Sequence, residues 1–300
     1  MQLSIGEACA LGAAAAWATG SMLFSRIGRL TSPGAMNVGK CVSAALMLIV
    51  TQLVLGHSPL PQASAGAWGL LAASALIGLT LGDTAYFTAM VAIGVPRAML
   101  LLSTAPLFAV LFGWVWLHER LGLRALFGIA LTLAGIGLVI ARRDVAAVAD
   151  ESARRRGIAL GVVAGIAQAA GSILSRRAMH DGIDPIAAAS GRLAIGAIGL
   201  LAVGAFNGRS RGWIGELATE RTWLRVAGAS VVGTYFGISL AQIGLARAHS
   251  TGVASTLLAT SPIFALPLAH FTGVERITAR TAFGGVLAVA GIGVLSIGGG

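Results

Sequence analysis

Residues 98–138 read AMLLLSTAPLFAVLFGWVWLHERLGLRALFGIALTLAGIGL, and much of that text returns as residues 254–294, ASTLLATSPIFALPLAHFTGVERITARTAFGGVLAVAGIGV. A constant shift pairs Pro106 with Pro262, Phe108 with Phe264, Glu119-Arg120 with Glu275-Arg276 and Arg124 with Arg280. Roughly 17 identities fall over about 41 ungapped positions, too many for shared composition to explain. Each copy is two apolar helical runs joined by a short charged turn. Any fold must therefore accommodate the same unit twice.

The unit belongs in a membrane. Only 11% of the 300 residues are charged, and the mean hydropathy is +0.86. A soluble domain carries about a quarter of its residues as Asp, Glu, Lys and Arg. The charges cluster between apolar runs of about 20 residues, the length that crosses a bilayer. The 42 Gly residues suit helices packed closely in lipid, where small residues let backbones approach.

The net charge of +10 does not imply nucleic-acid binding. The Arg residues flank apolar segments and form no basic face interleaved with aromatics, and loop Arg is ordinary in membrane proteins. Cys9 and Cys41 lie inside apolar runs. Their number and placement suit neither a disulfide framework nor a metal site, and they read as buried, inert thiols. No cleavable signal is expected, because the N-terminus lacks a basic region and carries Glu7. That carboxylate lies near its segment's start and reads as interfacial.

Ten spans follow, at about 5–25, 34–55, 67–91, 97–116, 121–141, 157–178, 185–206, 223–245, 251–271 and 279–298. Residues of about 142–156 and 207–222 are expected to be loops ordered only at their ends. The duplication reaches the first spans: Gly20-Ser21-Met22-Leu23 resembles Gly171-Ser172-Ile173-Leu174, and Pro33 with Gly39-Lys40 resembles Pro185 with Gly191-Arg192. Residues 1–145 and 146–300 are thus two repeats of five spans. Five is odd, so the second repeat must enter the membrane from the opposite side. The expected fold is an all-α integral membrane protein, ten transmembrane helices as two inverted five-helix repeats, the plan that many secondary transporters use.

Pro106 and Pro262 fall mid-span in corresponding segments. Proline removes a helical hydrogen bond and kinks the helix. Ser103-Thr104 and Thr260-Ser261 precede them and can bond the freed carbonyls. The sequence leaves open whether these are hinges or static kinks.

Proline mid-span, Glu-Arg after the span and a glycine-rich closing helix, all present twice, together resemble the EamA domain of the drug/metabolite transporter superfamily. The resemblance covers nearly the whole chain. It implies ten helices, a central cavity between the repeats, and export or exchange of small metabolites. Lys40 and Arg192 match the place where the family often carries a basic residue in the second helix of each repeat. Lys in the first copy departs from the more usual Arg.

Ionisable groups within spans cost roughly 2.5–3.5 kcal/mol near the helix centre and face a cavity or a partner. Lys40, Asp83 and Arg192 are such groups. Lys40 lies about six residues inside span 2 and Asp83 about eight inside span 3, so their depths differ by only about 3 Å. An ion pair is the expected solution, serving either structure alone or a cycle in which substrate or a proton competes for Asp83. Asn37 and Lys40 share a helix face, as do Asp83 and Tyr86. Tyr235, Ser239 and Gln242 repeat the spacing of Leu79, Asp83 and Tyr86. These polar stripes line a cavity, or else they are interhelical hydrogen bonds worth about 0.6 kcal/mol each. Trp17 and Gln168 occupy equivalent deep positions in spans 1 and 6. Trp114 and Trp116 read as interface anchors. Glu119-Arg120 and Glu275-Arg276 read as structural, with carboxylates near the next helix N-terminus.

Other chemistries fit poorly. The run from Gly34 to Lys40 superficially resembles a P-loop, but Cys41 replaces Ser/Thr and no strand precedes it. His118-Glu119 lacks the second histidine of a zinc-protease helix, and no Gly-x-Ser-x-Gly elbow occurs. Gly78/Gly82, Gly161/Gly165 and Gly233/Gly237 are packing pairs. The reading is a secondary transporter, not an enzyme, with no cofactor and no metal. It would export or exchange small organic metabolites such as amino acids or drugs across a bacterial inner membrane, with a coupling proton possible. Its partners are a small-molecule substrate and membrane lipid. The substrate cavity would take Trp17, Asn37, Lys40, Asp83, Tyr86, Gln168, Arg192, Tyr235, Ser239 and Gln242. The mixture of aromatic, amide and both charge signs suits a zwitterion. The alternatives are a nucleotide-sugar or sugar-phosphate carrier, which needs several convergent basic groups, and an intramembrane enzyme acting on lipid-linked substrates.

Loops after odd-numbered spans hold most of the Arg residues, including Arg142-Arg143, Arg154-Arg155-Arg156 and Arg209. Loops after even-numbered spans hold Arg120, Arg124, Arg176, Arg177 and Arg247. The positive-inside rule places the richer set in the cytoplasm and both termini outside, whereas the family resemblance implies cytoplasmic termini. On the charge rule, a cysteine introduced at position 149 is protected from an impermeant reagent added outside. Labelling from outside reverses the orientation.

Overall fold

A computed structural model describes residues 4–60, 63–108, 111–112, 122–140, 151–247, 254, 257–271 and 278–297. The described residues form helices α1 (Ile5–Ile27), α2 (Pro33–Val54), α3 (Ala65–Ile93), α4 (Val95–Leu102), α5 (Leu123–Ile140), α6 (Glu151–His180), α7 (Pro185–Phe206), α8 (Ser210–Leu217), α9 (Glu220–Arg247), α10 (Ser261–Phe271) and α11 (Ala279–Ile297). Six of these, α1, α2, α3, α6, α7 and α9, are long and apolar enough to cross a membrane. Trp114, Trp116, His118, Glu119, Arg120, Glu275 and Arg276 lie outside the described residues.

Local chemistry sets where the long helices begin. Ser4 and Glu7 form a capping box: the Glu7 N–H donates to Ser4 Oγ, and the Ser4 N–H donates to Glu7 Oε2. Ser32 and Asp184 are N-caps followed by Pro33 and Pro185 at the first helical position, where a missing N–H costs nothing. These prolines occupy corresponding places in the two repeats. Gly94, at φ 83°, makes the one-residue corner between α3 and α4, a conformation that glycine adopts without a Cβ penalty.

Two expectations about loops are corrected. Residues 151–156 are the first turns of α6 rather than loop, and Arg154 and Arg155 pair with Glu151 there. The segment 207–222 contains α8. That helix is held down because Trp213 lies against Gly34 and Gly204, and because Glu216 Oε2 accepts the Ser32 N–H at 2.6 Å. The composition of this segment is polar enough to read as loop, but its half-buried Trp213 ring and its Glu216 carboxylate have specific receptors.

The helix contacts repeat across the two halves. α1 packs on α9, and α6 packs on α3. α1 also meets α10 as α6 meets α4, while α2 pairs with α7 and α5 with α11. At two crossings beside the middle of the bundle, as at Gly135 and Gly291 between α5 and α11, backbone meets backbone. A Cβ on Gly20 of α1 would collide with the backbone of Gly233 in α9, and a Cβ on Gly171 of α6 would meet Gly78 of α3 at 3.1 Å. Gly20 and Gly171 are equivalent in the duplication, and their partners Gly233 and Gly78 lie one residue apart in it. The small-residue pairs thus act as expected.

A feature that periodicity did not reveal lies at the same crossings. Leu76–Asp83 of α3 and Val231–Phe236 of α9 are π-helical. In a π turn each hydrogen bond spans one more residue, which widens the helix and displaces carbonyls. Asn37 answers one of them, donating from Nδ2 to the Leu79 carbonyl at 2.9 Å and to Thr84 Oγ1 at 2.9 Å.

The crossing predicts a test. Gly20→Leu should destabilise the protein by roughly 1–3 kcal/mol or more, because an overpacked site must push two backbones apart. Gly69→Leu, whose Cβ meets nothing within 4 Å, should leave stability unchanged. Thermal unfolding in detergent micelles checks both. Equal midpoints for the two variants would show that the crossing is not tight.

Candidate functional site

A cavity of about 160 Å³ lies between the repeats. That is roughly ten times the space one water needs by the same measure. Its walls come from α1, α2, α3 and α4 of the first repeat and from α6, α7 and α9 and the residues leading into α10 of the second. Trp17, Lys40, Asp83, Tyr86, Gln168, Arg192 and Gln242 all face it, and so does Pro106.

Lys40 Nζ and Asp83 Oδ2 form an ion pair across α2 and α3. Asp83 ends the π segment of α3, and both chains are largely buried, with side-chain exposures of 7% and 19%. The ammonium also sits 5.4 Å from the centroid of the Phe87 ring, within cation–π range. The depth arithmetic from the sequence therefore placed these two charges correctly. Arg192, the basic residue of the second repeat, is only 4% exposed. It makes no ion pair among the described residues, and its Nε has no hydrogen-bond partner there.

The neutral polar groups mirror one another. Tyr86 donates its hydroxyl to Ser21 Oγ at 2.9 Å, linking α3 to α1. Gln242, its equivalent, donates from Nε2 to Ser175 Oγ at 2.7 Å, linking α9 to α6. The Gln242 Oε1 is buried without a partner.

Four sequence candidates lie elsewhere. Asn37 is fully buried and spends its amide on α3, as described above, and does not reach the cavity. Tyr235 turns its hydroxyl to Thr51 Oγ1 at 2.9 Å, binding α9 to α2. Ser239 donates to the Tyr235 carbonyl of its own helix at 2.6 Å. Asn37 and Tyr235 thus join helices, whereas Ser239 bonds only its own helix. Pro262 is buried outside the lining.

The two prolines are also not mid-helix. α4 ends at Leu102, a turn covers Ser103 and Thr104, and helix resumes at residue 105. On the other side a turn at Ala259 and Thr260 precedes α10. Pro106 and Pro262 therefore sit in the first turn of a restarted helix, where proline fits without a kink. The hydroxyls act as foreseen: Thr104 donates to the Leu101 carbonyl, and Thr260 and Ser261 donate to Leu257 and Leu258.

The periodicity argument missed Ser21, Phe24, Phe87, Ser103, Ser172 and Thr234, all of which line the cavity. One signal for Ser21 and Ser172 was available. They are equivalent positions that adjoin the packing glycines Gly20 and Gly171.

With this geometry in view, comparison with known proteins decides the family. The model of the EamA-like transporter family matches residues 4–141 and again residues 155–297. The chain belongs to the EamA-like transporter family. One match falls in each half of the chain. This EamA-like protein is thus an integral membrane transporter of the drug/metabolite type. A solved structure, described only as the crystal structure of a protein, aligns with 97% of this chain and 96% of its own at TM-score 0.69 and 19% identity. At that identity the likeness speaks for the fold alone. No curated protein matches the chain.

The ion pair yields a double-mutant test. Lys40→Met and Asp83→Asn should each cost on the order of 3–5 kcal/mol, since each leaves one buried charge unmatched. The double variant should recover most of that loss. Unfolding in micelles measures the coupling, and strictly additive losses would show that the pair carries no such energy.

Proposed function

We propose that this EamA-like protein is a secondary transporter that exports or exchanges small organic metabolites by alternating access between its two repeats. The carrying observation is a single cavity walled by helices of both repeats, with Lys40, Asp83 and Arg192 inside it. Ionisable groups held at that depth are costly, and the cost is repaid by use. Amino acids and drugs with a polar head and an apolar body suit walls that mix Trp17, Tyr86 and Phe87 with Gln168 and Gln242.

In this reading Trp17, Tyr86 and Gln168 contact the substrate, and Asp83 exchanges its partner Lys40 for a proton during the cycle. Asn37, Tyr235 and Ser239 act one step removed, holding α2, α3 and α9 in place. The breaks at Ser103-Thr104 and Ala259-Thr260 flank the cavity in equivalent positions. They serve as the flexing points, with Pro106 and Pro262 holding the restarted helices. A bacterial inner membrane is the setting. A sugar-phosphate carrier fits less well. Such a substrate needs several basic groups converging on it, and Lys40 already has its counter-charge in Asp83.

The test is counterflow in proteoliposomes loaded with candidate amino acids and amphipathic drugs. Exchange of at least one class is expected. Pro106→Ala and Pro262→Ala should slow it several-fold with folding intact, because alanine lets each helix continue through the break. Parental rates in both variants would remove the flexing role. If the double change at Lys40 and Asp83 restored folding but not transport, Asp83 would be the coupling group. Normal transport by that double variant at every pH would make the pair structural only.

A further inference from the structure

The two repeats place different charges in the cavity. In the first, Lys40 is matched by Asp83. In the second, the residue equivalent to Asp83 is Ser239, which turns to its own backbone. Arg192 makes no ion pair with a described residue, and the Asp83 carboxylate acts on it only through space. Among the described residues lining the cavity the ionisable groups of fixed charge are these three, so the cavity carries one uncompensated positive charge.

Arg192 cannot relieve this by losing its proton, because a guanidinium stays charged in proteins. A lone charge in the membrane interior is costly unless something neutralises it. The surrounding groups are set up for a visitor. Arg192 lines the cavity, and its guanidinium donates to no described residue. Gln168 makes no hydrogen bond to any described residue and faces the same space. Nearby walls from Trp17, Phe24 and Met99 are apolar.

We infer that Arg192 docks the carboxylate of the substrate, and that the cavity prefers a monoanion with an apolar body over a zwitterion or a cation of the same shape. This rests on the transporter reading and narrows it. A planar carboxylate matches the guanidinium fork and brings the cavity to neutrality. A doubly charged phosphate would overshoot, since Lys40 is already matched. An ammonium group would meet no free carboxylate, because Asp83 is committed to Lys40. The zwitterion suggested by the mixture of charge signs in the sequence therefore gives way to a monocarboxylate.

The experiment is calorimetric titration of the purified full-length protein with four probes sharing one body: 3-phenylpropionate, phenylalanine, phenethylamine and 3-phenylpropanamide. At neutral pH the propionate should bind roughly tenfold or more tightly than each of the others. Arg192→Gln should abolish that preference, and Arg192→Lys should keep part of it. Arg192→Gln should not lower the unfolding midpoint of the ligand-free protein, because it removes a charge that has no partner. Equal binding of the four probes, tighter binding of phenylalanine or the amine, or no binding by any of them overturns the inference. So does a large loss of stability in Arg192→Gln, which would make the arginine structural. Counterflow of other solutes in the same preparation would leave the transporter reading standing in each of those cases.

Discussion

The space between the repeats depends on two places beside it where helix backbones touch. At Gly20–Gly233 and Gly171–Gly78 no side chain separates the helices. In lipid there is no hydrophobic force to press helices together, so close packing and the hydrogen bonds it permits must do so. With α1 drawn against α9, and α6 against α3, each repeat lends a helix to the other. The cavity is the space left between these two exchanged crossings, and the π segments that widen α3 and α9 lie at the same level.

Symmetry of the backbone coexists with asymmetry of the chemistry. Tyr86 with Ser21 and Gln242 with Ser175 are equivalent bridges between equivalent helices. Pro106 and Pro262 follow equivalent breaks. The charges do not obey that symmetry, because Asp83 has no acidic counterpart at Ser239. A duplicated scaffold thus supplies two similar half-sites, and one carboxylate distinguishes them. The first half-site is internally neutral and held by Lys40, Asp83 and the Phe87 ring. The second keeps an open guanidinium.

The polar residues that do not reach the cavity show how the scaffold holds itself at that depth. Asn37 satisfies the Leu79 carbonyl displaced by a π turn, and Thr51 with Tyr235 joins α2 to α9. Gln52 donates to Ser190 at 2.9 Å between α2 and α7, and Ser74 donates to the Gly171 carbonyl at 2.6 Å. Where water is absent an unmet polar group is expensive. Almost every such group therefore finds a neighbour, and among the described side chains three buried atoms do not: Ser43 Oγ, Arg192 Nε and Gln242 Oε1.

The sequence by itself determined the membrane character, the duplication, the starts of the helices at Ser4, Ser32 and Asp184, and the depth match of Lys40 with Asp83. Each of these follows from local covalent or capping chemistry, or from counting residues along a helix. Which polar residues face the cavity was decided only by the tertiary structure. Face arithmetic assumes an unbroken helical period, and a π turn inserts an extra residue and rotates everything beyond it. Tyr235 and Ser239 therefore leave the stripe on which Gln242 and Thr234 meet the cavity, and Asn37 is consumed by the carbonyl that the π segment sets free. The isolation of Arg192 is likewise a tertiary fact. It depends on where Ser239 points and on Asp83 being taken by Lys40, neither of which spacing along the chain can specify.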